Sequence, residues 1–187
     1  MPRLAPLVLT VLLIAAACQP GAPAKKPSPP PSPSASPSPA LAIRPPYQDL
    51  LGPDQVGLSP VSGADHVSKE LAAEQQTNQP LALNQYSAWG WVDEATRVYG
   101  SGPKHLELAI LLLSSPEGAE AAFAAWADAL GGRQLCPKGL ALDDCALSSS
   151  AIVGRIGPYV FRLAGAGVDV IALAGEQAAA IRKPAST

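Results

Sequence analysis

Residues that do chemistry are scarce in this chain. Its 187 residues include two histidines, three cysteines and one methionine, and only 15% are charged. His66 and His105 are the only imidazoles, so acid–base schemes that need a histidine pair have little to draw on. There is no Gly-x-Ser-x-Gly nucleophile elbow. Gly165-Ala166-Gly167 begins like a dinucleotide loop, but Val170 stands where the third glycine belongs and no Walker lysine follows. His105-x-Glu107 lacks the Pro-Cys-x-x-Cys that completes a zinc deaminase. Asp143-Asp144 lacks the twelve-residue ligand pattern of a calcium loop. Hence no catalytic residue, metal or cofactor is assigned, and the reading leans away from an enzyme. A zinc site of both histidines with Asp65 or Glu107 is the surviving metal alternative.

Runs of Lys or Arg are also missing. Residues 47–187 carry nine basic and fifteen acidic side chains, a net charge of −6, which argues against a nucleic-acid partner. What the chain does have is unevenly placed. Eleven of the 21 prolines fall between Gln19 and Pro46, whereas all nine aromatics lie between Tyr47 and Phe161. Proline has no amide hydrogen and disfavours helix in the residue before it. Three segments follow: 1–17, a leader; 18–46, a Pro/Ser-rich disordered linker; and 47–187, the part able to build a core. Extended as polyproline, the linker reaches on the order of 85 Å.

In the leader, Arg3 precedes an apolar run, Leu7 to Ala17, broken only by Thr10. Eleven helical residues rise about 16 Å, too short for a permanent span and suited to a signal peptide. Ala15-Ala16-Ala17-Cys18 then resembles the signal of bacterial lipoproteins, with Ala15 where that family usually has leucine. The resemblance implies cleavage before Cys18 and lipidation of its sulfur, with palmitate among the acyl chains. The protein would then be anchored to the cell membrane on its extracytoplasmic face. The alternative is ordinary cleavage after Ala17 and secretion. Cys136 and Cys145 remain as an even pair, which in an oxidising compartment predicts a disulfide.

Periodicity predicts a helix over 65–76 and a short strand near 56–61. Alternation predicts strands over 89–99 and 105–113, the second with Leu106, Leu108, Ile110 and Leu112 on one face. Ser115-Pro116-Glu117 is a helix start; Phe123, Trp126 and Leu130 mark its buried stripe, and Gly131-Gly132 its stop. Residues 151–156 and 159–164 flank Gly157-Pro158 as a hairpin, and Asp169 caps a last helix over 170–182. The expected fold is α+β: an antiparallel sheet of four to six strands with helices packed on one face. In element order it is similar to small envelope domains of the PsbP or Mog1-like type and to cystatin-like folds, a likeness that assigns no residue a role.

Two features are candidates for recognition. Trp89 and Trp91 fall on one side of an expected strand, with Arg97 further along, and Arg155 and Arg162 share the outer face of the hairpin. An exposed aromatic row stacks on a ligand, and arginines reach an anion. The competing reading puts the tryptophans in the core and the arginines on the surface, paired with Asp93 or Glu94. The functional expectation is a lipid-anchored module that binds a small ligand or an envelope protein. An extracytoplasmic enzyme of unfamiliar type and a passive structural lipoprotein are the alternatives.

Overall fold

The computed structural model describes residues 41–130 and 134–184. The leader, Cys18 and the linker as far as residue 40 lie outside the described residues, as does the Gly131-Gly132 stop.

Six strands form one antiparallel sheet in the order β1-β2-β3-β6-β5-β4. They are β1 (Ser59–Val67), β2 (Trp91–Ser101), β3 (Lys104–Leu113), β4 (Asp144–Leu147), β5 (Ala151–Ile156) and β6 (Tyr159–Ala166). The helices are α1 (Pro53–Val56), α2 (Lys69–Glu74), α3 (Gln79–Trp89), α4 (Pro116–Asp128) and α5 (Val170–Arg182), and a 3-10 turn spans Pro46–Asp49.

The α+β class and the antiparallel sheet are as the sequence predicts, but the helices do not keep to one face. β3 explains why. Its even residues from Leu106 to Leu112 pack with Tyr159, Phe161 and Leu163 against Leu173, Ala174 and Ile181 of α5. Its odd residues Leu111 and Leu113 are equally buried, with Val153 and Val160, against Ala119 and Ala122 of α4. A strand that is apolar on both faces needs a cover on each.

Local signals account for most ends. Ser115 accepts a hydrogen bond from the Gly118 amide, and Asp169 from the Ile171 and Ala172 amides, so both helices begin at side-chain caps. Gly157 has φ 54°, which permits the two-residue turn that pairs Ile156 with Tyr159. Elsewhere the expected elements move. The segment read as a helix from Asp65 is strand as far as Val67, and α2 starts only after Ser68, whose hydroxyl accepts from the Leu71 amide. Pro80 lies in the first turn of α3, where its missing amide hydrogen is harmless. That helix runs to Trp89 and ends on Gly90 in the left-handed conformation, φ 72°. Trp89 and Trp91 are therefore not neighbours on one strand.

The boundary at residue 47 also shifts. Arg44, read as linker, donates its backbone amide to the Tyr159 hydroxyl and its guanidinium to the Ala180 and Ile181 carbonyls of α5. It also pairs with Asp49 at 2.6 Å. Cys136 and Cys145 are disulfide-bonded, with Cα atoms 6.1 Å apart, and tie the segment before β4 to that strand.

Candidate functional site

On the α4 side the middle of the sheet carries short side chains. Ala64, Thr96, Ala109 and Arg162 follow one another in register across β1, β2, β3 and β6, and Ala164 pairs with Ala151 in the neighbouring row. Four alanines and a threonine cannot fill the space under the helices, and a groove of about 620 Å³ remains. Leu71 of α2 and Gln75 just after it form one wall, Trp126 of α4 another, and Tyr86 and Trp91 close an end.

That end depends on a β-bulge. Trp91 pairs with Leu113 but Asp93 pairs with Leu112, so Val92 is an extra residue in β2. Strict alternation would put Trp91 opposite Glu94. The bulge brings Trp91, Glu94 and Thr96 onto the same face, and all three line the groove. Trp91 is fixed by its indole N–H, which donates to the Val67 carbonyl at 3.2 Å, and by the Tyr86 ring 4.7 Å away.

Glu94 is the least ordinary group in the groove. It is 9% exposed, and among the described residues its carboxyl group has no hydrogen-bond or ion-pair partner. Burial, assisted by the neighbouring Asp93 charge, pushes its pKa up to about 7. The same carboxyl raises the pKa of the Tyr86 phenol, after the larger effect of burial there. Arg162 is exposed on the groove floor and likewise has no partner among the described residues.

Of the five residues singled out from the sequence, Trp91 and Arg162 meet in this groove. Trp89 is 8% exposed in the α4-side core behind Tyr86, with ring centroids 5.4 Å apart. Arg97 pairs with Leu108 in register, so it points to the α5 side, and it is bound to Asp65. Arg155 shares the face of Arg162 but is held by Asp144 at the β4 edge. The sequence reading overlooked Glu94 as a site residue, treating it as a surface partner for arginines. Arg97 and Arg155 have other partners, Arg162 has none among the described residues, and Asp93 bonds His66 at 2.8 Å.

Other polar clusters are largely engaged among themselves, although Arg44 Nε, Asp49 Oδ2 and Gln177 Oε1 are buried without a hydrogen-bond partner. A hollow of about 600 Å³ beside α5 is lined by Arg44, Asp49 and Glu176, among others. There the Arg44–Asp49 pair and the bond from the Gln177 amide to the Asp49 carbonyl, 2.7 Å, join the 3-10 turn to α5. Asp143 and Asp144, weighed for calcium, hold Arg155, Arg182 and the Gly157 amide. Among the described residues no three His, Cys, Asp or Glu side chains gather as metal ligands, and no helix is long and apolar enough to cross a membrane.

No protein-family model matches the chain, and no curated protein matches it. Among solved structures, it is distantly similar to the extracellular domain of PknH from Mycobacterium tuberculosis. The two are 15% identical over 71% of this chain and 90% of that one, with a TM-score of 0.42.

Proposed function

We propose that this chain is an extracytoplasmic binding module, tethered to the membrane by lipid on Cys18, that holds a small ligand in the groove between the sheet and α2–α4. One observation carries the binding part: a groove of about 620 Å³ into which the nine-tenths buried, unpartnered Glu94 faces beside Trp91. Small-molecule sites are concave, of about 300–1,000 Å³, with mostly apolar walls and a few placed polar groups. The location is supported by the apolar run before Ala15-Ala16-Ala17-Cys18, the Pro/Ser-rich segment and the Cys136–Cys145 disulfide.

A second reading is favoured by the same carboxyl group. A glutamate that titrates near neutrality suits general acid–base catalysis, and would make the groove an active site. The two readings part on the fate of the ligand. Small molecules co-purifying with the full chain would be compared with those on an Ala109→Trp variant, whose indole occupies the middle of the groove floor. A ligand present on the native chain, absent from the variant and recovered unchanged after incubation supports binding. Its conversion supports the enzyme, and identical extracts from both proteins reject the groove. For the anchor, Cys18→Ser is expected to move the protein from the membrane to the soluble fraction. Continued membrane association would reject lipidation at that residue.

A further inference from the structure

Taking the groove to be a ligand site, its two unpaired charges are opposite and do not meet. Glu94 lies on β2 and Arg162 on β6, two strands away. Thr96 and Arg162 stand in one cross-strand row, so their backbones are about 10 Å apart at the usual strand spacing. The fold does not use these charges on each other, although it pairs Arg44, Arg97, Arg155 and Arg182 with carboxylates. A buried carboxyl group without a partner is costly, and a ligand that brings the counter-charge recovers part of that cost.

We infer that the groove takes a small amphoteric ligand. Its ammonium group would sit against Glu94 and the Tyr86 and Trp91 rings, and its anionic group, carboxylate or phosphate, would reach Arg162. Each end has the matching chemistry. Two aromatic rings, 4.7 Å apart and tilted by 38°, next to a carboxylate attract a cation through both the charge and the π-faces. A free guanidinium offers the planar fork that binds carboxylate or phosphate through two hydrogen bonds. A single charge of either sign would leave one end of the groove unmatched.

The ammonium end is expected to respond to pH. The ionisable groups around Glu94 are Asp93 on its own strand, engaged with His66, Tyr86 from α3, and Arg162 across the floor from β6. The lining residues of α2, α4 and β3 are not ionisable. Amine binding therefore follows ionisation of Glu94, tightening as pH rises through about 7 and releasing a proton below it.

The test uses the full chain with 15N-labelled tryptophan indoles. It is titrated with ω-amino carboxylic acids of four to eight carbons, the corresponding ω-aminoalkyl phosphates, and the matched n-alkylamines, n-alkyl carboxylates and n-alkanols. The best-fitting amphoteric compound should shift the Trp91 indole and bind at least about tenfold more tightly than the amine or carboxylate of the same length. Whether the carboxylate or phosphate series binds better identifies the anion. Glu94→Gln should remove that advantage together with its pH dependence. Arg162→Gln should weaken the amphoteric compounds and leave the alkylamines unchanged. Alkanols binding as well as amphoteric compounds, or Glu94→Gln binding as native, would overturn the ligand class while leaving the groove as a site. If no compound shifts Trp91 but not Trp89, the groove reading itself falls.

Discussion

The two faces of the sheet are built to different ends. On the α5 side Tyr99, Leu106, Ile110, Phe161 and Leu163 are completely or almost completely buried, and α5 lies over them. Its ionic groups are mostly spent internally: Arg44 lies on Asp49, whose chain Gln177 also grips, and Arg44 Nε, Asp49 Oδ2 and Gln177 Oε1 are left without a partner. Burial outweighs the Arg44 charge there and raises the Asp49 pKa to about 6. On the other side α4 covers Leu111, Leu113, Val153 and Val160, but the floor beside them is alanine and threonine. A closed face stabilises by filling space; a face with short side chains and unpaired charges gives up that stabilisation and keeps room for something else.

Substitutions should separate the faces. Phe161 is fully buried, and Phe161→Ala is expected to cost about 3–5 kcal/mol by denaturant unfolding. A loss near zero would mean that the α5 side is not the main core. Glu94→Gln tests the open side by pH. A folded-state pKa near 7, against 4.5 unfolded, means that the native chain binds the proton more tightly. Its stability therefore falls as pH rises from about 4.5 to 7 and levels off above. The variant lacks this fall, so it should match the native protein at pH 4 and exceed it by up to about 3 kcal/mol at pH 8. Parallel pH profiles would show that Glu94 is not desolvated.

Reducing Cys136–Cys145 opens a ten-residue loop packed at the edge of the closed face, and should cost about 2.7 kcal/mol. An unchanged melting temperature in reductant would remove the bridge from the account of that face. The smallest effect belongs to the helix over the open face: Ser115→Ala removes the α4 cap and should cost about 1 kcal/mol.

The closed face was legible in the sequence because its signals are large and regular. The alternating leucines of β3, the hairpin around Gly157-Pro158, the Asp169 cap and the cysteine pair all lie where their patterns predict. The open face was not. β1 is an edge strand with only Val67 buried, so it shows no alternation to read. α3 carries a proline as its second residue, and of its eleven residues only Ala82 and Trp89 are buried. Alanines across four strands leave no mark in a hydrophobic pattern, because what they contribute is missing volume. Trp91 and Glu94 join only through the bulge at Val92, which single-sequence alternation does not reveal. The signal that was available was an acidic side chain, Glu94, in an otherwise well-patterned strand with no basic residue across from it: its register partner is Leu111.

Thermal unfolding of Ala109→Trp beside Phe161→Ala shows whether the floor at Ala109 is open. If the groove is empty space bounded by α2 and α4, the added indole occupies it, and the variant melts within about 2 °C of the native protein. Phe161→Ala should meanwhile lose about 10 °C. If Ala109→Trp falls as far as Phe161→Ala, the side chain has been forced into a packed core, and the account of an open ligand face is wrong.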